Sequence, residues 1–455
     1  MRQRAGFSVA EVILSSALFS LLAGILTGAV LYSQESANLS GERMRAGAMA
    51  DEGLEVLRNF RDNNFVSMAS GIFGLATSSN VWALAGSQDS QDGFTRQLQI
   101  ATTSRRIKSA TSTITWLQTE TRGGSFSISG YFTNWRTGWW NVPSQEAFIN
   151  ISGSQNGLKV QTQGNFAYAV RSDGSPDFVI VNVADPAIPI LVGSLALSGI
   201  PANIAVSGNY AYVASQNDSQ ELQIIDISNP VAPAVIGSFN AAGTANATGI
   251  FVVGTTVYLV RDSSTSNELI IINASAPGTP TLLGSLNLGT GGNGIVVLGS
   301  VAYIGTDLNT QELQVVNLAV PSSPALIGFL DLSGTADALT VAGIGTTVVM
   351  GQGTQVRVIN VATPATPSLL GSFNAGATVN DIALGNENTY AFLATGSGTQ
   401  EFQVIDFADP TNMRRPSTLN LSGTIQGVAH NEILDRVFTV GSSDTQEFVV
   451  IKPEE

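Results

Sequence analysis

A multidomain, mainly β chain is predicted, with a long amino-terminal helix and small antiparallel sheet followed by a seven-bladed β-propeller. Three observations predict it. Val12 to Leu31 is apolar and free of charge, and it follows a short basic leader. Between residues 63 and 141, short runs alternate with the period of two expected of half-buried strands. From residue 142 onward a proline-bracketed motif recurs every 43 to 47 residues, the size of one four-stranded blade.

At 455 residues the chain can form two or three domains. It has no cysteine and only 12% charged residues, so an exported form would rest on its core rather than on disulfides. The net charge of −14 is uneven: residues 149–455 hold 8 basic and 23 acidic side chains, the remainder 12 and 11. An acidic carboxy-terminal part without basic patches argues against nucleic acid as a partner.

The leader carries Arg2 and Arg4 and ends at Gly6; Phe7 opens the apolar run and Glu11 sits in its first turn. Residues 12–31 can cross the ~30 Å hydrocarbon core of a bilayer as a helix. A carboxylate at the entrance of such a helix is costly to desolvate and normally has a partner. The two arginines put the amino terminus in the cytoplasm, with the rest of the chain outside. A cleaved secretory signal would have a shorter apolar core with its small-residue site behind it, whereas here the glycine junction comes first. A plain membrane anchor is the bland alternative.

Gly6-Phe7-Ser8-Val9-Ala10-Glu11 resembles the cleavage and methylation site of type IV prepilins and pseudopilins. The resemblance covers about the first sixty residues closely and the next eighty loosely; Val9 and Ala10 depart mildly from the family's usual aliphatics. It implies cleavage after Gly6 by a prepilin peptidase, methylation of Phe7, and a role for Glu11 in meeting the terminal amine of a neighbouring pilin subunit. Gly24 and Gly28 form a small-xxx-small pair, which permits close helix approach or simply reflects how common glycine is in membrane helices.

The helical pattern continues through Ala50, Leu54, Leu57 and Phe60 to a stop at Asp62-Asn63-Asn64. The expected divisions are a leader at 1–6, a transmembrane and assembly helix at 7–62, a β domain at 63–141 and the propeller at 142–455. Strands are expected at Phe94–Ala101, Thr111–Gln118 and Phe126–Phe132, the last alternating Phe126, Ile128, Gly130 and Phe132 with Ser125, Ser127, Ser129 and Tyr131. A long helix followed by such a sheet is also the pilin plan. Trp82, Trp116, Trp135, Trp139 and Trp140 all fall here; the last three could line a sugar site, though packing is the ordinary use of clustered aromatics.

The repeats place a strand ending in Asn or Asp before a proline bracket and an aliphatic-Gly-Ser run, as in VIVNVADPAIPILVGSL. First prolines stand at Pro186, Pro230, Pro277, Pro321, Pro364 and Pro410, with a truncated copy at Pro453. Innermost strands are read at Leu158–Val160, Ile204–Val206, Ile250–Val252, Ile295–Val297, Leu339–Val341, Ile382–Leu384 and Val428–His430, followed by edge-like strands such as Phe166–Val170. Because the chain ends without an outer strand for the last blade, residues 147–153 are expected to supply it and close the ring. Met413, Arg414, Arg415 and Ser417 interrupt the sixth bracket, so its turn should differ. The copies are similar to LVIVD-type repeats of bacterial surface and secreted proteins, known for propeller form rather than for one activity.

Chemistry is sparse. His430, the sole histidine, takes an apolar slot aligned with Val160, Val206, Val252, Val297, Val341 and Leu384, and one imidazole supports neither a metal site nor a triad. A carboxylate recurs at the head of each third strand: Asp177, Glu221, Glu268, Glu312, Glu401 and Glu447, with Val356 breaking the series. As a ring these could bind cations or a basic ligand; alternatively each accepts hydrogen bonds from its own blade. No catalytic set, cofactor fingerprint or metal site is expected. The sequence thus reads as a non-enzymatic minor pilin-like subunit, held first in the cytoplasmic membrane and then at the cell surface, whose propeller meets an unknown surface ligand. A pseudopilin of a secretion machine is the alternative.

Overall fold

The computed structural model describes residues 9–65, 68–78, 81–104, 107–119, 122–133, 139–172, 174–263, 265–385 and 389–454. The chain divides into two compact units, Met1–Arg136 and Thr137–Glu455.

In the first unit, helix α1 (Val9–Asn64) runs for 56 residues, about 84 Å at 1.5 Å per residue. Its amino-terminal half leaves Leu18, Phe19, Leu22, Ile25 and Leu26 exposed, and it is long and apolar enough to cross a membrane, as a signal sequence also is. Its second half is amphipathic for a different reason. Ala50, Leu54 and Leu57 are buried against an antiparallel sheet, and Gly53 lies where a Cβ would press on Ser112 and Leu98.

That sheet comprises β1 (Gly71–Ser78), β2 (Val81–Ala85), β3 (Asp89–Gln91), β4 (Phe94–Ser104), β5 (Ile107–Thr119) and β6 (Arg122–Thr133), in the order β2-β1-β4-β5-β6 with β3 beside β4. The last three are the strands expected from alternation. Phe132 is buried, while Ser125, Ser127, Ser129 and Tyr131 face outward. Inside, Arg96 bridges Glu52 and Asp89 at 2.9 and 2.8 Å, and the Trp116 indole donates to Glu42 at 2.8 Å. Buried charge is tolerated here because each partner satisfies it.

The second unit begins with β7 (Trp139–Ile149) and, among the described residues, contains seven four-stranded antiparallel sheets. The first is built from β8 (Gly157–Gln163), β9 (Phe166–Arg171), β10 (Phe178–Asn182) and β11 (Ile190–Leu195), with β8 innermost in the unit and β11 outermost. The other innermost strands are Pro201–Ser207, Ala247–Val253, Gly292–Leu298, Ala338–Ile344, Val379–Leu384 and Ile425–Asn431. Each packs beside the next, and the last packs beside β8, where Asn431 Nδ2 donates to Gly164 O at 2.9 Å. These are propeller-like blades.

The motif residues now have physical jobs. The Asn or Asp ending the third strand of the first six sheets turns the chain by accepting an N–H two residues on, as Asn182 does from Ala184 at 2.9 Å and Asp226 from Ser228 at 2.9 Å. The glycine of each aliphatic-Gly-Ser run lies beneath the next sheet's bracket. A Cβ on Gly193, Gly237, Gly284 or Gly371 would collide with the carbonyl oxygen of Pro230, Pro277, Pro321 or Pro410.

In the sixth sheet Ser417 takes this place, and its hydroxyl donates to Trp140 O at 2.8 Å. The sixth bracket keeps the i-to-i+3 bond of the other copies (Asn412 N to Asp409 O, 3.0 Å) but winds into a 3-10 turn, Pro410–Asn412.

Two expectations need correction. Phe166–Val170 and its counterparts are interior strands, hydrogen-bonded on both sides and buried; their unbroken apolar runs fit packing between sheets. The fourth strand of the seventh sheet is β7, which pairs antiparallel with Phe448–Glu454 from Phe448↔Ile149 to Glu454↔Trp139. It therefore starts ahead of the expected 147–153 segment.

Candidate binding site among the innermost strands

Gly6 and Phe7 lie outside the described residues, as does the side chain of Glu11, whose backbone is in α1. Gly24 and Gly28 sit in the exposed half of the helix, with nothing within 4 Å of a built Cβ. Trp140 is buried, its ring packed at 4.5 Å and a 60° tilt against Phe392, and donates to Asp435 at 3.2 Å. Trp116 is also buried. Trp135 and the side chain of Trp139 lie outside the described residues.

The recurring carboxylates are buried at the heads of the third strands and do not converge. Asp177 accepts from Leu197 N at 2.7 Å, Glu221 from Ala241 N at 2.9 Å, Glu268 from Leu288 N at 2.8 Å, Glu312 from Leu332 N at 2.8 Å and Glu401 from Leu421 N at 2.9 Å. Each holds the chain leaving the outer strand of its own sheet. Among the described residues no three His, Asp or Glu gather as metal ligands do. Glu447 differs, being gripped by Arg171 through bonds of 2.5 and 2.8 Å. Burial pushes the Glu447 carboxyl above the ordinary carboxylate range, and Arg171 offsets part of this.

In the fifth sheet the equivalent position is Gln355 rather than Val356, since Val356 pairs with Phe373 as Leu222 pairs with Phe239. A tight turn precedes it, and Thr354 O accepts from Ala375 N at 2.9 Å. The backbone there does what a carboxylate does elsewhere.

His430 is also shifted against two of its expected counterparts. It pairs with Val437 as Thr162 pairs with Ala167 and Gly343 with Val348, whereas Val160 and Val341 stand two residues earlier. The buried imidazole packs on Phe392 at 5.1 Å and Trp140 at 6.2 Å, and its Nε2 lies 3.6 Å from Asp435 Oδ1. This is a packed core position.

The strongest candidate site was missed by sequence reasoning. A cavity of about 280 Å³, partly open to solvent, lies among the innermost strands. Its polar side carries Lys159, Gln161, Asn203, Thr340 and Asp381, and its apolar side includes Ile250, Phe251, Ile295, Val296 and Leu298.

Lys159 and Asp381 form an ion pair at 2.9 Å with side chains 19% and 14% exposed. Lys159 Nζ also donates to Asn380 O at 3.0 Å, while Asp381 accepts from Thr340 Oγ1 at 3.2 Å and Val428 N at 3.0 Å. The pair reaches past Gly427, where a Cβ would press on Lys159 Cα.

A signal was present. Lys159, Asn203, Gly249, Gly294, Thr340, Asp381 and Gly427 occupy one register position, and all are polar or glycine.

Residues 156–196 and 198–241 match the LVIVD repeat. No curated protein is similar to the chain in sequence. A chain from a crystal structure of a mitotic checkpoint complex is similar in fold, with a TM-score of 0.55 at 13% identity over 69% of this chain and 96% of that one. At that identity the likeness concerns architecture alone. Residues 156–241 therefore carry two LVIVD repeats, folded as propeller-like four-stranded sheets.

Proposed function

We propose that the chain is a minor type IV pilin-like subunit whose repeat sheets form one closed seven-bladed propeller displayed for adhesion or recognition at the cell surface. The observation that carries this reading is Gly6-Phe7-Ser8-Val9-Ala10-Glu11 at the head of a charge-free apolar stretch. It is supported by a helix whose first half is exposed and apolar and whose second half packs on an antiparallel sheet, the layout the pilin resemblance implies. Ring closure is supported by the pairing of β7 with the final strand and by the packing of the last innermost strand beside β8.

In this reading a prepilin peptidase removes residues 1–6 and methylates Phe7, and Glu11 meets the terminal amine of a sister subunit. Gly24 and Gly28 ease helix packing in the membrane and then in the filament. A repeat domain of more than 300 residues would obstruct dense repetition, so the subunit is sparse or at a tip. The function is binding rather than catalysis, with no cofactor and no nucleic-acid partner.

Mass spectrometry of protein purified from its native cells tests the reading: a chain beginning at methylated Phe7 is expected, and an intact Met1 overturns it. Sheared surface filaments should contain the protein at low stoichiometry. Retention in the envelope with loss of secretion on deletion would instead assign it to a secretion machine as a pseudopilin.

A further inference from the structure

We propose that the cavity among the innermost strands binds a single neutral sugar residue, such as the terminal unit of a surface glycan. This deepens the recognition role proposed above and rests on that reading for its biological setting. The argument runs through size, charge and unused hydrogen-bonding capacity.

A volume of about 280 Å³ lies near the lower end of ligand-pocket sizes, ~300–1,000 Å³, which suits one pyranose and not a chain of them. The cation and anion lining it already neutralise each other. Asp381 has three hydrogen-bond donors, from Lys159, Thr340 and Val428. A charged ligand would find no opposite charge left over, and burying an uncompensated charge is costly. A neutral ligand avoids that cost.

Donors and acceptors remain for it. The ammonium of Lys159 has three N–H groups and spends two, on Asp381 and Asn380. Asn203 Oδ1 accepts from Ile204 N, and its amide N–H groups are unspent. The exposed Gln161 side chain lines the cavity and has no hydrogen-bond partner among the described residues, so its amide is free to turn to a ligand.

Across the cavity Phe251, Val296 and Leu298 form an apolar wall. A pyranose has this division: hydroxyls at its edge and a C–H face that packs on aromatic and aliphatic surface. An aliphatic ligand would leave the amides idle, and a polar ion would leave the Phe251 wall unused.

The test is saturation-transfer NMR on the full-length protein in detergent micelles. The probes are methyl glycosides of glucose, galactose, mannose and N-acetylglucosamine, with glucuronate as the charged control. At least one neutral glycoside should receive saturation, while glucuronate receives little. Gln161→Leu and Asn203→Ala should each weaken that binding at least tenfold. Should Gln161→Leu unfold the protein, Asn203→Ala carries the comparison, with the thermal transition reporting folding.

No transfer to any neutral glycoside overturns the proposal, as does equal transfer to glucuronate or undiminished binding by both variants. The mass of the amino terminus in the same sample decides the pilin reading separately: sugar binding by an unprocessed chain keeps the site and removes the pilus.

Discussion

In six of the seven sheets the third and fourth strands are joined by a proline bracket; in the seventh they come from opposite ends of the unit. The contrast shows what a covalent turn contributes and what replaces it. Where the bracket is missing, side chains tie the two segments. Arg436 holds Glu146 through bonds of 2.5 and 3.1 Å and the Trp140 indole binds Asp435, while Arg171 of the first sheet holds Glu447 of the seventh.

The same arginine position in the third sheet is looser. Arg261 Nη1 stands 4.0 Å from Glu221 Oε1 and turns instead to the carbonyls of Ala242 and Asn267. Glu221 is already employed by Ala241 N; Glu447 is available for a full bidentate grip, the stronger arrangement for arginine and carboxylate.

Removing the substitute strand should have the largest effect. Deletion of Glu146–Ile151 strips half of the β7 ladder, the pairs of Phe448, Val449 and Val450, from the buried strand Phe448–Glu454 and exposes an edge. Calorimetry should show the thermal transition of the repeat unit falling sharply or losing cooperativity. An unchanged transition would mean that the seventh sheet does not depend on this segment.

Much of this contrast was legible in the sequence. Proline spacing gave the repeat, and the missing outer strand pointed to the region that supplies it. What was lost was register. A strand alternating apolar residues looks the same after a slip of two, so Val160 and Val341 were aligned with His430 although pairing puts Thr162 and Gly343 there. A shortened turn moved the carboxylate slot of the fifth sheet from Val356 to Gln355.

Strands β1 to β3 gave no pattern, because Gly71, Gly74 and Gly86 interrupt them or border them and glycine weakens the alternation signal. The cavity was hidden for another reason. Lys159 and Asp381 are 222 residues apart, and each looks like an isolated polar residue until the innermost strands are set side by side.

Next in size is the buried ion pair. Arg171→Met leaves Glu447 buried and unpaired, which typically costs about 3–5 kcal/mol. Arg261→Met should cost less, because no close pair is broken. Denaturant unfolding of both variants measures the difference, and a double variant Arg171→Met, Glu447→Leu should recover part of the loss. Equal losses for the two arginines would erase the distinction between the junctions.

The outer strands offer a third comparison. Gly284→Val drives a side chain into Pro321 O, and overpacking against backbone of this kind costs about 1–3 kcal/mol or more. Ser417→Gly restores the repeat residue and forfeits only the hydrogen bond to Trp140 O, about 1 kcal/mol. Thermal melts should therefore rank Gly284→Val well below Ser417→Gly.

The smallest effect is one of pH. Burial raises the Glu447 carboxyl, with Arg171 pulling it partly back, so the folded protein keeps this proton to a higher pH than the unfolded chain does. Between the ordinary carboxylate value and the raised one, the native state therefore binds more protons. Stability must decline with pH across that window. The contribution of Glu447 is fully present below the ordinary value and is lost as pH rises through the raised one. Glu447→Gln fixes a neutral group in the same place. The melting temperature of the natural protein relative to this variant should then fall from pH 4 to pH 7. A relative rise would mean that Arg171, rather than desolvation, governs the carboxylate, and that the side-chain clasp of the seventh sheet is strongest when both partners are charged.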